Sequence, residues 1–192
     1  AGAIPGIKIH VFGIARSNVA SAFAKLGIES ADSASPLRQA WLSAKDNYYT
    51  PDRTYAAIRI PVTKEQRAIS DSPTNSSSAS YSDLNTAENE ALAAIRDYAR
   101  KELGYRKTFK AIKDYDSMLG DRKYADKGAK RHAMYAETLK DRPWQKCDCT
   151  ICDSLGVEVI IFRGGNRNRR RGFHNLWTLR QRMSNIQIPL ID

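Results

Sequence analysis

The first apolar run, Ile7-Lys8-Ile9-His10-Val11-Phe12-Gly13-Ile14, is short and β-branched and is bounded by Gly6 and Ala15-Arg16-Ser17; it predicts a buried strand. Ser17 or Asn18 then caps a helix over residues 19–25, which Gly27 ends at the position where a left-handed residue is wanted. Residues 28–31 form a second short strand. The segment therefore reads as strand-helix-strand with tight connections, the repeating element of parallel α/β proteins. After Asp32 a turn through Pro36 leads into a helix-like stretch over residues 37–44.

Around Pro61 the character changes, and residues 70–82 are rich in Ser, Asn and Pro with little to bury, which predicts a flexible loop. Leu92, Ile95, Ala99 and Leu103 at helical spacing predict a helix over residues 85–103, started by residues 86–89. Two further helices are expected over residues 107–118 and 122–140, with Gly120 between them and basic, solvated outer faces. At Gly156 the pattern switches back: residues 157–162 predict a strong strand, residues 163–172 an Arg-rich loop, and residues 173–183 a helix with Leu176, Leu179 and Met183 on one side. No internal repeat is visible.

Length and charge narrow the picture. At 192 residues the chain suits one ordinary domain and falls short of the roughly 250 residues of a whole (β/α)8 barrel. It carries 31 Lys+Arg against 21 Asp+Glu, a formal charge of +10, which favours polyanionic partners. Between Glu158 and Asp192 there is no acid, while Arg163, Arg167, Arg169, Arg170, Arg171, Arg180 and Arg182 all fall in that interval. No apolar run approaches the roughly 20 residues that span a bilayer, and the first residues do not read as a signal peptide. A soluble, cytoplasmic protein without a membrane partner is expected. The chain begins with Ala directly before an apolar segment, so a processed or truncated start is also expected.

The chemistry concentrates in the cysteines. Cys147, Cys149 and Cys152 lie within six residues, too close for a disulfide framework. Reduced thiolates on a tight knuckle, holding a tetrahedral zinc ion, are the better account; three merely buried cysteines are the alternative. Of the three histidines, His10 falls in a buried-looking strand and His132 in a basic helix. His174, 22 residues beyond Cys152 at the start of a helix, is the candidate fourth ligand. Four protein ligands leave no open position, so this zinc is expected to be structural.

The Cys-x-Cys-x-x-Cys…His arrangement after a strand-helix-strand unit resembles the zinc subdomain that follows the barrel in tRNA-guanine transglycosylases. Phe12-Gly13-Ile14-Ala15 resembles the apolar-Gly-apolar-Gly turn of that family, with Ala15 in place of the second Gly. Asp32-Ser33-Ala34-Ser35-Pro36-Leu37-Arg38 resembles its Asp followed by Pro and Arg. The Asp-Ser-Ala-Ser wording and Lys45-Asp46-Asn47-Tyr48-Tyr49-Thr50 are closer to archaeal-type members. Arg142-Pro143-Trp144, Phe162-Arg163-Gly164 and the run from Asn166 through His174 to Asn175 look like the DpdA-type transglycosylases, which insert a 7-deazaguanine base into DNA. The resemblance covers residues 7–50 and 142–177, and His174 comes sooner after the last Cys than in the tRNA enzymes.

This resemblance implies the C-terminal portion of a TIM (β/α)8 barrel. Residues 1–50 would be the last two strand-helix units, residues 51–141 a flexible loop and basic helical insert, and residues 142–192 a zinc-binding subdomain with an Arg-rich loop. Asp32 would be the nucleophile that forms a covalent glycosyl intermediate during exchange of guanine for a preQ0-like 7-deazaguanine. Phe12 and Gly13 would border the bound base, and Arg38 would contact phosphate or an adjacent base. Arg163, Arg167, Arg169, Arg170 and Arg171 would contact the nucleic-acid backbone. The partners implied are DNA or tRNA, a free 7-deazaguanine base, and an N-terminal barrel half or companion subunit. Read from the residues alone, the alternatives are that Asp32 caps the next helix, that Phe12 is core and that Arg38 touches nothing. A tRNA-acting enzyme and a non-catalytic, zinc-stabilised nucleic-acid-binding module are the two rival functions.

Overall fold

The computed structural model describes residues 7–14, 17–63, 80–119 and 125–184. It is a mixed α/β arrangement, rich in helix and short in strand. Strand β1 (Ile9–Val11), helix α1 (Ser17–Lys25), strand β2 (Ile28–Ala31) and helix α2 (Ser35–Leu42) follow one another, and β1 pairs with β2 in parallel. The expected strand-helix-strand unit is therefore present. Gly27 takes φ +70° behind α1, where an L side chain would be strained. Pro36 sits in the first turn of α2, where its missing N–H costs nothing. The side chains of Ser17 and Asn18, expected as caps, lie outside the described residues.

The expectation of a buried first strand is corrected. Ile7 is 59% exposed, Ile9 45% and Phe12 79%. Parallel sheets ordinarily have both faces covered. Here Val11 and Ala31 are half-buried, whereas the opposite face, with His10, Phe12, Ser30 and Asp32, is open.

Antiparallel β3 (Tyr48–Tyr49) and β4 (Thr54–Tyr55) follow, and then β5 (Ile58–Arg59), which pairs in parallel with the distant β6 (Ile161–Phe162). Between β5 and the C-terminal segment lie helices α3 (Tyr81–Ala99), α4 (Tyr105–Met118) and α5 (Ala125–Asp141). Helix α3 starts four residues before the expected Asn85, because the Ser80 hydroxyl caps it by accepting from the Asp83 amide. Of the predicted loop, residues 70–79 lie outside the described residues, as does Gly120. One apolar cluster joins Tyr48, Ile58 and Ile60 to Ile95, Ile112, Tyr115, Tyr135 and Leu139 and to Val159, Ile160 and Ile161.

The C-terminal segment departs most from expectation. Arg142, at φ 47°, turns the chain into a 3-10 turn, Pro143–Gln145, which buries Trp144. Helix α6 (Thr150–Leu155) and a second 3-10 stretch, Gly156–Ile160, precede β6. The predicted strand over 157–162 thus shrinks to its last two residues. The predicted Arg-rich loop is instead the first half of one long helix, α7 (Gly165–Ser184). Its buried face is polar: Asn168, Arg171, His174, Asn175 and Thr178, with Gly172 against Leu37 and Trp41 of α2. No described helix is long and apolar enough to cross a membrane.

Candidate active site and metal centre

The sulfurs of Cys147, Cys149 and Cys152 and a ring nitrogen of His174 all lie within 4.8 Å of one another. Two elements bring them together. The Cys149 sulfur caps α6 by accepting from the Cys152 amide at 3.3 Å, which folds the knuckle, and α7 carries His174 to it. His174 Nδ1 stands 3.6, 3.3 and 3.4 Å from the sulfurs of Cys147, Cys149 and Cys152. A tetrahedral metal with bonds of about 2.3 Å to sulfur and 2.0 Å to nitrogen has N···S edges of roughly 3.6 Å, so the donor set fits such an ion. The other ring nitrogen, Nε2, faces the Tyr49 carbonyl at 2.8 Å. A carbonyl only accepts, so Nε2 carries the proton and Nδ1 offers its lone pair to the centre.

Tyr48 was not singled out as a site residue from sequence, yet it completes this centre. Its ring stacks on His174 at 4.2 Å and 18°, and its hydroxyl lies 3.2 Å from the Cys152 sulfur. Burial, and then the Cys152 sulfur, push its hydroxyl pKa well up, so it keeps its proton and donates. Hydrogen bonding to Cys152 and His174 pulls the Cys147 thiol down, to about 3, while the same shared hydrogen pushes Cys152 up. Burial alone would lower His174, but the Cys147 and Cys149 sulfurs more than offset it and lift it to about 9, so a metal ion bound at Nδ1 would displace a proton from it. Three sulfurs this close cannot all ionise without a counter-charge, which a divalent ion provides.

The strand tips form the second constellation. Asp32 directly follows β2, and its Oδ1 accepts from the Gly13 amide at 2.7 Å. Gly13 adopts φ +75°, which glycine reaches without strain. The capping alternative for Asp32 is not realised: Ala34 is the N-cap residue of α2 with no side-chain cap, and the Asp32 carboxylate turns instead to Gly13, just beyond β1. Phe12 is not core but stands exposed beside Gly13, edge-on to His10 with ring centroids 4.4 Å apart. Arg38 is exposed on α2.

The arginines separate into two groups. Arg163 pairs with the buried Glu88 at 2.5 Å, and Arg167 with Glu158 at 2.7 Å. Arg171 is fully enclosed: its guanidinium donates to the Val159, Ile161 and Ala40 carbonyls and to Asn168 Oδ1 and lies over the Phe162 ring. Burial lowers its pKa to about 9, which leaves it charged at neutral pH. An arginine so used cannot reach a phosphate, which corrects the assignment of Arg171 to the nucleic-acid contact. Arg169 and Arg170 lie on the exposed side of α7. His132 bonds to Asp116 at 2.7 Å and takes no part in either constellation.

No protein-family model matches the chain. Over 180 residues it is 41% identical to the DNA-guanine transglycosylase of Salmonella montevideo. The match takes in 92% of this chain but 42% of that relative, so the chain spans less than half the relative's length. The similarity supports a relation to the transglycosylase superfamily.

Proposed function

We propose that this chain is the C-terminal part of a guanine transglycosylase that exchanges guanine in DNA for a preQ0-like 7-deazaguanine base. The similarity to a protein named for action on guanine in DNA carries the reading and favours DNA over tRNA. Residues 1–50 supply the last two strand-helix units of a (β/α)8 barrel, whose active sites lie at the C-terminal strand ends, where Asp32 stands. Residues 51–141 are an insert and residues 142–192 the zinc subdomain. The remaining strands, with the proton-transferring carboxylate, come from an N-terminal barrel half or a companion subunit.

The target nucleotide leaves the stack to reach the site. An Asp32 carboxylate oxygen attacks C1′ of the guanosine sugar and the C1′–N9 bond breaks; guanine departs with the electron pair and receives a proton. A carboxylate suits this step because the transition state is oxocarbenium-like. The incoming base then attacks C1′ through N9, displaces the carboxylate and gives up its N9 proton. The Gly13 amide orients the Asp32 oxygen, Phe12 packs on the base, and Arg38, Arg169 and Arg170 meet the backbone. Zinc, held by Cys147, Cys149, Cys152 and His174, braces the scaffold and takes no part in the exchange.

The test uses guanine-containing DNA and tRNA, each offered with labelled guanine. The complete protein is expected to exchange into DNA and to form a covalent DNA adduct that is absent in Asp32→Asn. Exchange into tRNA alone reverses the polymer, and an adduct that persists in Asp32→Asn removes Asp32 from the chemistry.

A further inference from the structure

We infer that His10 is a positioning residue that sets the Phe12 ring for the incoming base. Rejected as a metal ligand on sequence grounds, it lies on the open face of the β1–β2 pair. There it is the cross-strand partner of Ser30, and its Nδ1 lies 2.8 Å from the Ser30 hydroxyl. Phe12 directly follows β1, two residues beyond His10, and its ring lies against the His10 ring; Asp32 directly follows β2, two residues beyond Ser30. The imidazole and phenyl rings meet at 67°. The result is a chain of contacts from Ser30 to His10 to Phe12, running beside the Gly13–Asp32 hydrogen bond.

Phe12 is 79% exposed, so its neighbours do little to restrict its rotamers. The His10 ring, itself anchored by a hydrogen bond, is the described contact that holds Phe12 in one orientation. Ordering an exposed side chain at the moment of binding costs affinity, and an aromatic pair formed beforehand removes that cost. Asp32 is held separately by the Gly13 amide, so His10 governs how well the base is bound and not how fast the glycosidic bond breaks.

This inference rests on the transglycosylase reading, and the assay separates the two. In the complete protein, labelled-guanine exchange into DNA is measured for wild type, His10→Ala, His10→Phe and Ser30→Ala. His10→Ala is expected to raise KM for the free base about 3- to 10-fold with kcat held within threefold. His10→Phe, which keeps a ring against Phe12, is expected to recover most of the loss, and Ser30→Ala to fall between. An unchanged KM in His10→Ala, beside an active wild type, overturns the inference alone. Loss of kcat with KM unchanged assigns His10 elsewhere and also overturns it. A wild type that exchanges nothing overturns the transglycosylase reading first, and this inference with it. Should His10→Ala fold poorly, the ordering of His10→Phe and Ser30→Ala carries the same test.

Discussion

Gly172 offers a test of the packing that ties the metal-bearing helix to the strand tips, because two effects of opposite sign meet there. Replacing a helical glycine with alanine normally stabilises by about 1 kcal/mol, through lost backbone freedom in the unfolded chain. At Gly172, however, an added Cβ lies 2.8 Å from Leu37 Cδ1, 2.9 Å from the Leu37 carbonyl oxygen and 3.2 Å from Trp41 Cζ3. A leucine methyl can rotate away; a carbonyl inside α2 cannot, so the two helices must part by about half an ångström to restore ordinary contact. That movement lengthens the bonds from Arg171 to the Ala40 carbonyl and from Asn175 to the Pro36 carbonyl. Overpacking of this kind costs about 1–3 kcal/mol, which outweighs the propensity gain. Gly128 in α5 is the control, since a Cβ there meets nothing within 4 Å. Urea unfolding followed by circular dichroism should show Gly128→Ala more stable by about 0.5–1 kcal/mol and Gly172→Ala less stable by up to about 2 kcal/mol. Equal stabilisation of both variants would refute the close α2–α7 contact.

Two further outcomes follow from the buried charges and the metal centre. The Glu88 carboxylate is held below its ordinary 4.5: burial works to raise it, but the Thr63 hydroxyl and amide and then Arg163 overcome that. A lowered folded pKa adds stability that is present above about pH 4.5 and is lost as pH falls through the folded value. Glu88→Gln should therefore cost about 1–3 kcal/mol at neutral pH, a gap that closes in acid; a pH-independent gap in chemical denaturation would contradict the ion pair. For the metal centre, atomic emission should find one zinc per chain, lost in Cys149→Ala together with several kcal/mol of stability, since structural sites of this class bind with about 10–16 kcal/mol. Ligation displaces thiol protons, so zinc affinity should fall as pH falls. Full zinc content in a stable Cys149→Ala would remove that cysteine from the centre.

What could be read from the residues follows the physics each reading used. Short β-branched runs and a glycine at a helix end marked β1, α1 and β2, because those signals are local. The cysteine knuckle and His174 were legible because metal coordination restricts residue type and spacing to very few options. The burial of β1 was misread: an apolar run reports a face that wants cover, and Ile9 and Phe12 are left exposed by the described residues. The first half of α7 was misread for the opposite reason. Its buried positions, Asn168 and Arg171, continue the helical spacing of His174, Asn175 and Thr178 but are polar, so a search for apolar periodicity passes over them. The carbonyls of Ala40, Val159 and Ile161, together with Asn168 Oδ1 and the Phe162 ring, explain why an arginine is stable there.

The same polar face explains how a metal without a chemical role can matter to the strand tips. His174 is joined to the knuckle, and its neighbour Asn175 accepts from the Tyr49 amide while donating to the carbonyls of Pro36 and Asn47. Pro36 opens α2 four residues after Asp32. The path from metal ligand to candidate nucleophile therefore runs through one side-chain amide and one turn. Side-chain amides buried with all partners met resist displacement, because any shift leaves a donor or acceptor unpaired at about 1–3 kcal/mol. Without an ion to hold it His174 would be free to move, and Asn175 could not follow without breaking three hydrogen bonds, one of them to the Pro36 carbonyl in the segment that leads from Asp32. A structural ion at this place thus restricts the geometry of the strand tip without ever touching substrate.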